Sequence, residues 1–193
     1  MKALVRDLKT SIIAVFCLAV LLCLIYPLVV WGMAQLFFPH QANGSLIIRD
    51  GKIVGSELLA QNFTDSRYFH PRPSFAGDQG YDAANSGGGN QGPISRKLIE
   101  TIEQRVADYR SQNNLSPDVK IPADAVTASA SGLDPDIGIQ NAQLQARRVA
   151  RARGIPEQKL LEMIETLSEP RYLGILGNPR VNIIKLNLAL DAG

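Results

Sequence analysis

The chain has 193 residues, 46% of them hydrophobic, and a formal net charge of +2. That size accommodates one ordinary domain with a core plus a short appendage, and the apolar content excludes a disordered chain. The charge is unevenly placed: Lys2, Arg6 and Lys9 stand against Asp7 in the first 38 residues, so the other 17 basic and 17 acidic side chains cancel, which argues against nucleic acid as a partner.

The first element is apolar. Residues 11–38, SIIAVFCLAVLLCLIYPLVVWGMAQLFF, carry no formal charge over 28 positions. A bilayer core of about 30 Å needs about 20 helical residues, so the segment reads as a transmembrane helix with length to spare. Trp31 and Phe37 sit toward its far end, as interfacial rings do, and Pro27 is placed to kink it. A cleaved signal peptide would have a shorter apolar region followed by a small-x-small site, which is absent. Lipid attachment at Cys17 or Cys23 is disfavoured because Phe16 and Leu22 precede them where a small residue is needed. Lys2, Arg6 and Lys9 precede the span and the first charge after it is Arg49, paired with Asp50. The positive-inside bias therefore puts residues 1–10 in the cytoplasm and 39–193 outside. Both cysteines lie in the span, so the external domain must be held by its own core.

Beyond the span, SLIIRDGKIVGS (45–56) is a hairpin turning on Asp50-Gly51. Residues 57–93 read as a long ordered or half-ordered loop containing FHPRPS and SGGGNQGP, and loops of that length are usually functional or disordered. From Ile94 to Ser111, Leu98, Ile99, Ile102, Val106 and Tyr109 recur at helical spacing. Residues 120–135 are expected as a short buried strand or extended segment closed by Gly132 and Asp134-Pro135. A helix over 139–153 stops at Gly154, and Pro156 opens another to about Ser168. In residues 180–191, the alternation of Ile184, Leu186, Leu188 and Leu190 predicts a half-buried strand, expected to share one antiparallel sheet with the hairpin. The fold class is thus a single N-terminal transmembrane helix plus one mixed α+β external domain, with a small antiparallel sheet and about three helices.

Catalytic signatures are missing. No Walker lysine follows the glycines, and there is no Gly-x-Ser-x-Gly, no Ser-x-x-Lys and no histidine pair at metal-ligand spacing. His40 and His70 are the only histidines, and without a second ligand near in sequence His70 reads as a packed or surface residue, with a ligand role as the alternative. Arg147, Arg148, Arg151 and Arg153 are expected on the open face of a helix, solvated or paired, with lipid headgroups or an acidic partner as the other reading. Ser86 to Gly92 suits either an anion-binding nest or a contact loop, and the contact reading is preferred.

Several long blocks in one order carry a family resemblance: YFHPRPS at 68, SGGGNQGP at 86, PADAVTASASGLDP at 122, RVARARG at 148 and LGILGNPRVNIIKLNLALD at 173. With the N-terminal span, they make nearly the whole chain resemble the C chain of the bacterial potassium-transporting ATPase, the KdpC family. The resemblance implies an accessory subunit in the bacterial cytoplasmic membrane. Its partners are a potassium-channel-like A chain, a P-type ATPase B chain and a small F chain. It implies a catalytic chaperone that raises the B chain's affinity for ATP, with no cofactor of its own. The Asp-Lys-Thr-Gly phosphorylation motif is absent here. The family's likeness to the Ser-Gly-Gly-Gln signature of ABC transporters falls on Ser86, Gly87, Gly88 and Gln91, with Gly89 and Asn90 intervening. Gly89, Asn90, Gly92, His70, Arg72, Arg148 and Arg151 are the candidate subunit contacts. A membrane-tethered external binding module or hydrolase is the alternative class.

Overall fold

The structure is a computed structural model that describes residues 1–192. It divides into two units, Met1–Leu46 and the residues from Ile47 onward.

In the first unit, α1 (Lys2–Ala19) runs through a wide turn of π-helix (Val20–Ile25) into α2 (Tyr26–Phe37). Together they form a 36-residue helix, about 54 Å long at 1.5 Å per residue. It is long and apolar enough to cross a membrane, and none of its side chains is buried in the protein. Pro27 explains the wide turn. It has no N–H to donate and its ring crowds the carbonyl of Cys23, and the backbone responds with the N–H of Tyr26 reaching the carbonyl of Leu21, five residues back. A short turn, α3 (Pro39–Ala42), follows.

Next in the chain is the hairpin of β1 (Leu46–Arg49) and β2 (Lys52–Ser56), which from Ile47 onward belongs to the second unit and is turned by Asp50 and Gly51 with both φ angles positive, 52° and 74°. The hairpin is a two-stranded sheet by itself, which corrects the expectation that it joins the C-terminal strand. No regular element interrupts 57–95; side-chain hydrogen bonds hold this stretch instead. Ser74 Oγ donates to the carbonyl of Gly132 at 2.6 Å and accepts from the N–H groups of Ala76 and Tyr81, while the Tyr81 hydroxyl donates to the carbonyl of Arg72 at 2.8 Å.

Helix α4 (Arg96–Asn113) starts on Ser95, whose hydroxyl accepts from the N–H of Leu98, and ends at Asn114 in the left-handed region. Residues 120–135 differ from the expected strand: Ala123–Val126 form a helical turn, α5, and the rest is irregular. The extended piece comes later, at β3 (Asp136–Gly138). Helix α6 (Ile139–Arg153) then turns at Gly154 and Pro156 into α7 (Glu157–Thr166). The inward residues of α6 are small, Ala142, Ala146, Val149 and Ala150, which lets α7 approach closely and seat Leu160 and Ile164 between the two helices.

The C-terminal block is the main departure from the sequence reading. Strand pairing stops after three residues: β5 (Arg180–Asn182) lies between β3 and β4 (Ser168–Glu169), antiparallel to both. The chain then becomes α8 (Ile183–Ala192). Two periodicities compete in IIKLNLAL. The alternating set 184, 186, 188, 190 suits a strand, whereas 183, 186, 187, 190 suits a helix; all four of the helical set are buried, together with Ile184, while Leu188 of the alternating set is only partly so. Asn182 decides the switch, since its Oδ1 accepts from the N–H groups of Ile184 and Lys185, both at 3.1 Å, and caps the helix. The core gathers Phe69, Ile137, Val181, Ile183 and Leu186 with the inward residues of α6 and α7.

Candidate functional site

The segment around His70 is built into the domain by side-chain amides. Phe69 is fully buried, and its N–H and carbonyl are matched by Asn187 Oδ1 at 2.9 Å and Nδ2 at 3.0 Å. The backbone of His70 receives the same treatment from Gln145, whose Oε1 accepts from the N–H at 2.7 Å and whose Nε2 donates to the carbonyl at 3.1 Å. Two amides from α8 and α6 thus act as substitute strands for two consecutive residues. Gln145 also donates to Asn141 Oδ1, and Asn141 donates to Asp124 and accepts from the Tyr109 hydroxyl at 2.8 Å. Burial pushes the Tyr109 hydroxyl well above its ordinary range, with the Asp124 charge adding to the effect.

Arg148 completes this network, a correction to its expected place on an open helix face. Its guanidinium donates to Asn113 Oδ1, Gln145 Oε1 and the carbonyls of Ser66 and Tyr68 at 2.7–3.0 Å. Burial lowers its pKa to about 10. Arg153 is likewise drawn in, donating to the carbonyls of Arg67 and Leu190 and to Asp191 Oδ1, with its guanidinium 4.8 Å from the Tyr68 ring. Arg147 and Arg151 do remain exposed. The neighbours on α6 that reach inward are those one turn from Gln145 and Val149, a distinction that the bare run of arginines does not reveal.

His70 is partly buried, and its ring Nε2 lies 3.1 Å from the carbonyl of Asp65. Burial, followed by the charge of Arg148, pulls its pKa below 6.5. It lines a hollow of about 300 Å³ with Tyr81, Arg105, Tyr109, Gln112 and Gln145. Arg72 is separate, paired with Asp134 at 2.7 Å.

The glycine run packs against the segment before β3. Ser86 Oγ and the N–H of Gly87 both donate to the carbonyl of Ser131 at 3.0 Å. A Cβ on Gly88 would lie 2.8 Å from the carbonyl oxygen of Ala130, and one on Gly132 would lie 2.8 Å from both the N of Ala76 and the carbonyl oxygen of Gly87. Three backbone segments therefore cross where only glycine fits. At Gly89 the neighbour is the Phe75 ring edge, 2.8 Å from the Cβ position; Gly87 and Gly92 have room.

The fold splits the four residues of the Ser-Gly-Gly-Gln likeness. Gly88, Gly89, Asn90 and Gln91 line a cavity of about 400 Å³ with Phe75, Thr101 and Arg105, whereas Ser86 faces a different hollow shared with Arg72. Arg105, three residues after Ile102 and four before Tyr109, lies on the inward-turning side of α4 and lines both this cavity and the one beside His70. Its helical register was the signal that the sequence reading missed. It donates to the carbonyl of Val126 at 3.2 Å, its guanidinium lies 5.1 Å from the Phe75 ring, and burial lowers its pKa. The Gly87 amide is spent on Ser131, and α4 begins at Arg96 behind its own cap, beyond Gly92.

The chain is therefore a protein with one membrane-length apolar helix and an α+β domain whose polar interior is devoted to holding a long loop in shape. Residues 8–192 match the family model described as K+-transporting ATPase, c chain. The chain belongs to that family, KdpC. It is similar to potassium-transporting ATPase KdpC subunits from several bacteria. It is 50% identical over 186 residues to that of Mycobacterium bovis (strain BCG / Pasteur 1173P2), covering 96% of this chain and 98% of the relative. With the subunit of Caulobacter vibrioides it shares 50% identity over 190 residues, covering 98% and 94%. With that of Nitratidesulfovibrio vulgaris it shares 48% over 186 residues, covering 95% and 93%.

Proposed function

We propose that the chain is the non-catalytic accessory subunit of a high-affinity, ATP-driven potassium uptake pump. Its partners are a channel-like A chain, a P-type ATPase B chain and a small F chain. The observation that carries the reading is family membership across residues 8–192, which takes in both the apolar helix and the domain. The aspartyl-phosphate motif is absent from the sequence, so the phosphoryl chemistry belongs to a partner.

The chain spans the bacterial cytoplasmic membrane once, with Lys2, Arg6 and Lys9 inside and the α+β domain outside. It acts as a catalytic chaperone that raises the ATP affinity of the hydrolysing subunit. From outside the membrane this effect is a coupling free energy of about 1–3 kcal/mol, transmitted through subunit contacts and not by contact with ATP. The packed glycine run and the absence of a phosphate-binding lysine support the indirect route.

The test is reconstitution of the pump with and without this chain. Potassium-stimulated ATP hydrolysis should be lost without it, and the full chain alone in detergent should show no saturable ATP binding below about millimolar, corresponding to about 4 kcal/mol. Hydrolysis of normal rate and ATP affinity in a pump lacking the chain would end the proposal.

A further inference from the structure

Helix register turns Arg105 into the domain without giving it an anion. A guanidinium carries five N–H donors, and the protein accepts from this one only at the carbonyl of Val126, 3.2 Å from Nη1. Among the described residues no carboxylate is within ion-pair distance of it. Arg72, Arg153 and Arg180 each meet a carboxylate at 2.7–2.8 Å, and Arg148, which has none, is compensated by four hydrogen bonds to protein oxygens. Arg105 has neither form of compensation. Its partial burial therefore works against its charge, and a cation withdrawn from water is stabilised by whatever anion reaches it.

The hollow of about 300 Å³ beside it is lined as small-ligand pockets are, by apolar surface with a few polar groups. Phe63, Tyr81 and Tyr109 supply the rings, and both tyrosine hydroxyls are already spent, on the Arg72 carbonyl and on Asn141. Asn62 and Thr64 line the same hollow with side chains that bond to no described residue. The His70 ring, held below its ordinary pKa by burial, is neutral at pH 7, so Arg105 is the one cation in this lining. Asp108, its one acid, is exposed and accepts from Gln104 Nε2 at 2.8 Å.

We propose that this hollow binds a small organic monocarboxylate, whose carboxylate takes the Arg105 fork and whose apolar body lies against Phe63, Tyr81 and Tyr109. One planar guanidinium matches one carboxylate through two parallel hydrogen bonds. A phosphate group carries about −1.5 to −2 charges at pH 7, more than a single arginine offsets, and the Asp108 charge in the same lining adds to the excess. A neutral ligand of the same shape leaves the cation uncompensated. The site lies wholly in the second unit, and it goes beyond the pump reading without depending on it.

The test uses the full chain in non-ionic detergent at pH 7, titrated calorimetrically with acetate, benzoate and hexanoate. The neutral amide of each acid and inorganic phosphate serve as comparators. At least one monocarboxylate should bind saturably with Kd of about 10 mM or below, and its amide should bind tenfold more weakly or worse. Arg105→Gln should weaken that binding tenfold or more. Arg105→Lys, which keeps the charge and loses the fork, should fall between the two. Arg147→Gln, on the exposed side of α6, should bind as wild type. The comparison of acid with amide needs no substitution, so it decides the charge requirement even where a variant fails to fold. Absence of saturable binding by all three acids, equal binding of the amide, tighter binding of phosphate, or unchanged binding by folded Arg105→Gln protein would overturn the site.

Discussion

Asn187 of α8 and Phe69 of the long loop, 118 residues apart in sequence, are joined by a reciprocal pair of hydrogen bonds, side-chain amide to backbone amide. Both groups are buried. Asn187→Ala leaves the Phe69 N–H and carbonyl without partners and should cost about 2–4 kcal/mol. Asn187→Asp keeps the acceptor, loses the donor and adds a buried charge, so it should not rescue. Urea denaturation of the full chain in detergent, followed by circular dichroism, measures both.

Alanine replacements in the glycine run should separate by position. Gly88→Ala drives a methyl into the Ala130 carbonyl and should lower the melting temperature most. Gly89→Ala meets the edge of the partly exposed Phe75 ring, which can swing aside, and should cost less. Gly87→Ala, whose nearest neighbour is 3.8 Å away, should melt within a degree or two of wild type. If the loop is a subunit contact, Gly87→Ala and Gly92→Ala should reduce capture of the assembled pump without lowering the melting temperature.

His70 should make the domain sensitive to mild acid. Its folded pKa lies below 6.5 because burial and the Arg148 charge favour the neutral ring. The stability it contributes is therefore full above 6.5 and is lost as pH falls through the folded pKa. Melting temperature should decline as pH falls below 6.5, and His70→Gln should flatten that decline.

Asn182→Ala removes the cap of α8 and the hydrogen bonds from Nδ2 to Asp136 and to the carbonyl of Glu57. A loss of about 1–2 kcal/mol is expected from the cap. Amide exchange should accelerate most at Ile184 and Lys185, whose N–H groups it holds.

Orientation is tested by a reporter enzyme active only outside the cytoplasm, fused after Gly193. It should be active, and neutralising Lys2, Arg6 and Lys9 together should reduce that activity by inverting part of the population. A fusion active only inside would reverse the topology.

The apolar helix, the Asp50-Gly51 hairpin, α4, α6 and the corner at Gly154 were legible in the sequence because each rests on a local signal: length, turn chemistry or helical periodicity. The candidate site was legible only as a set of residue types. Ser86, Gly87 and Gly88 stood out as a glycine run, but the fold spends them on a backbone crossing with Ala130 and Ser131. What tertiary structure decided are the places where local signals tie or are silent. In 183–190 two apolar periodicities compete, and Asn182 together with the buried pairing of Asn187 to Phe69 selects the helix. Asn141, Gln145 and Arg148 look like surface residues by type, yet the interior holds them because long-range partners satisfy every polar group they carry inward. Burying such groups is favourable only once those partners arrive, and their arrival depends on chain segments far away in the sequence.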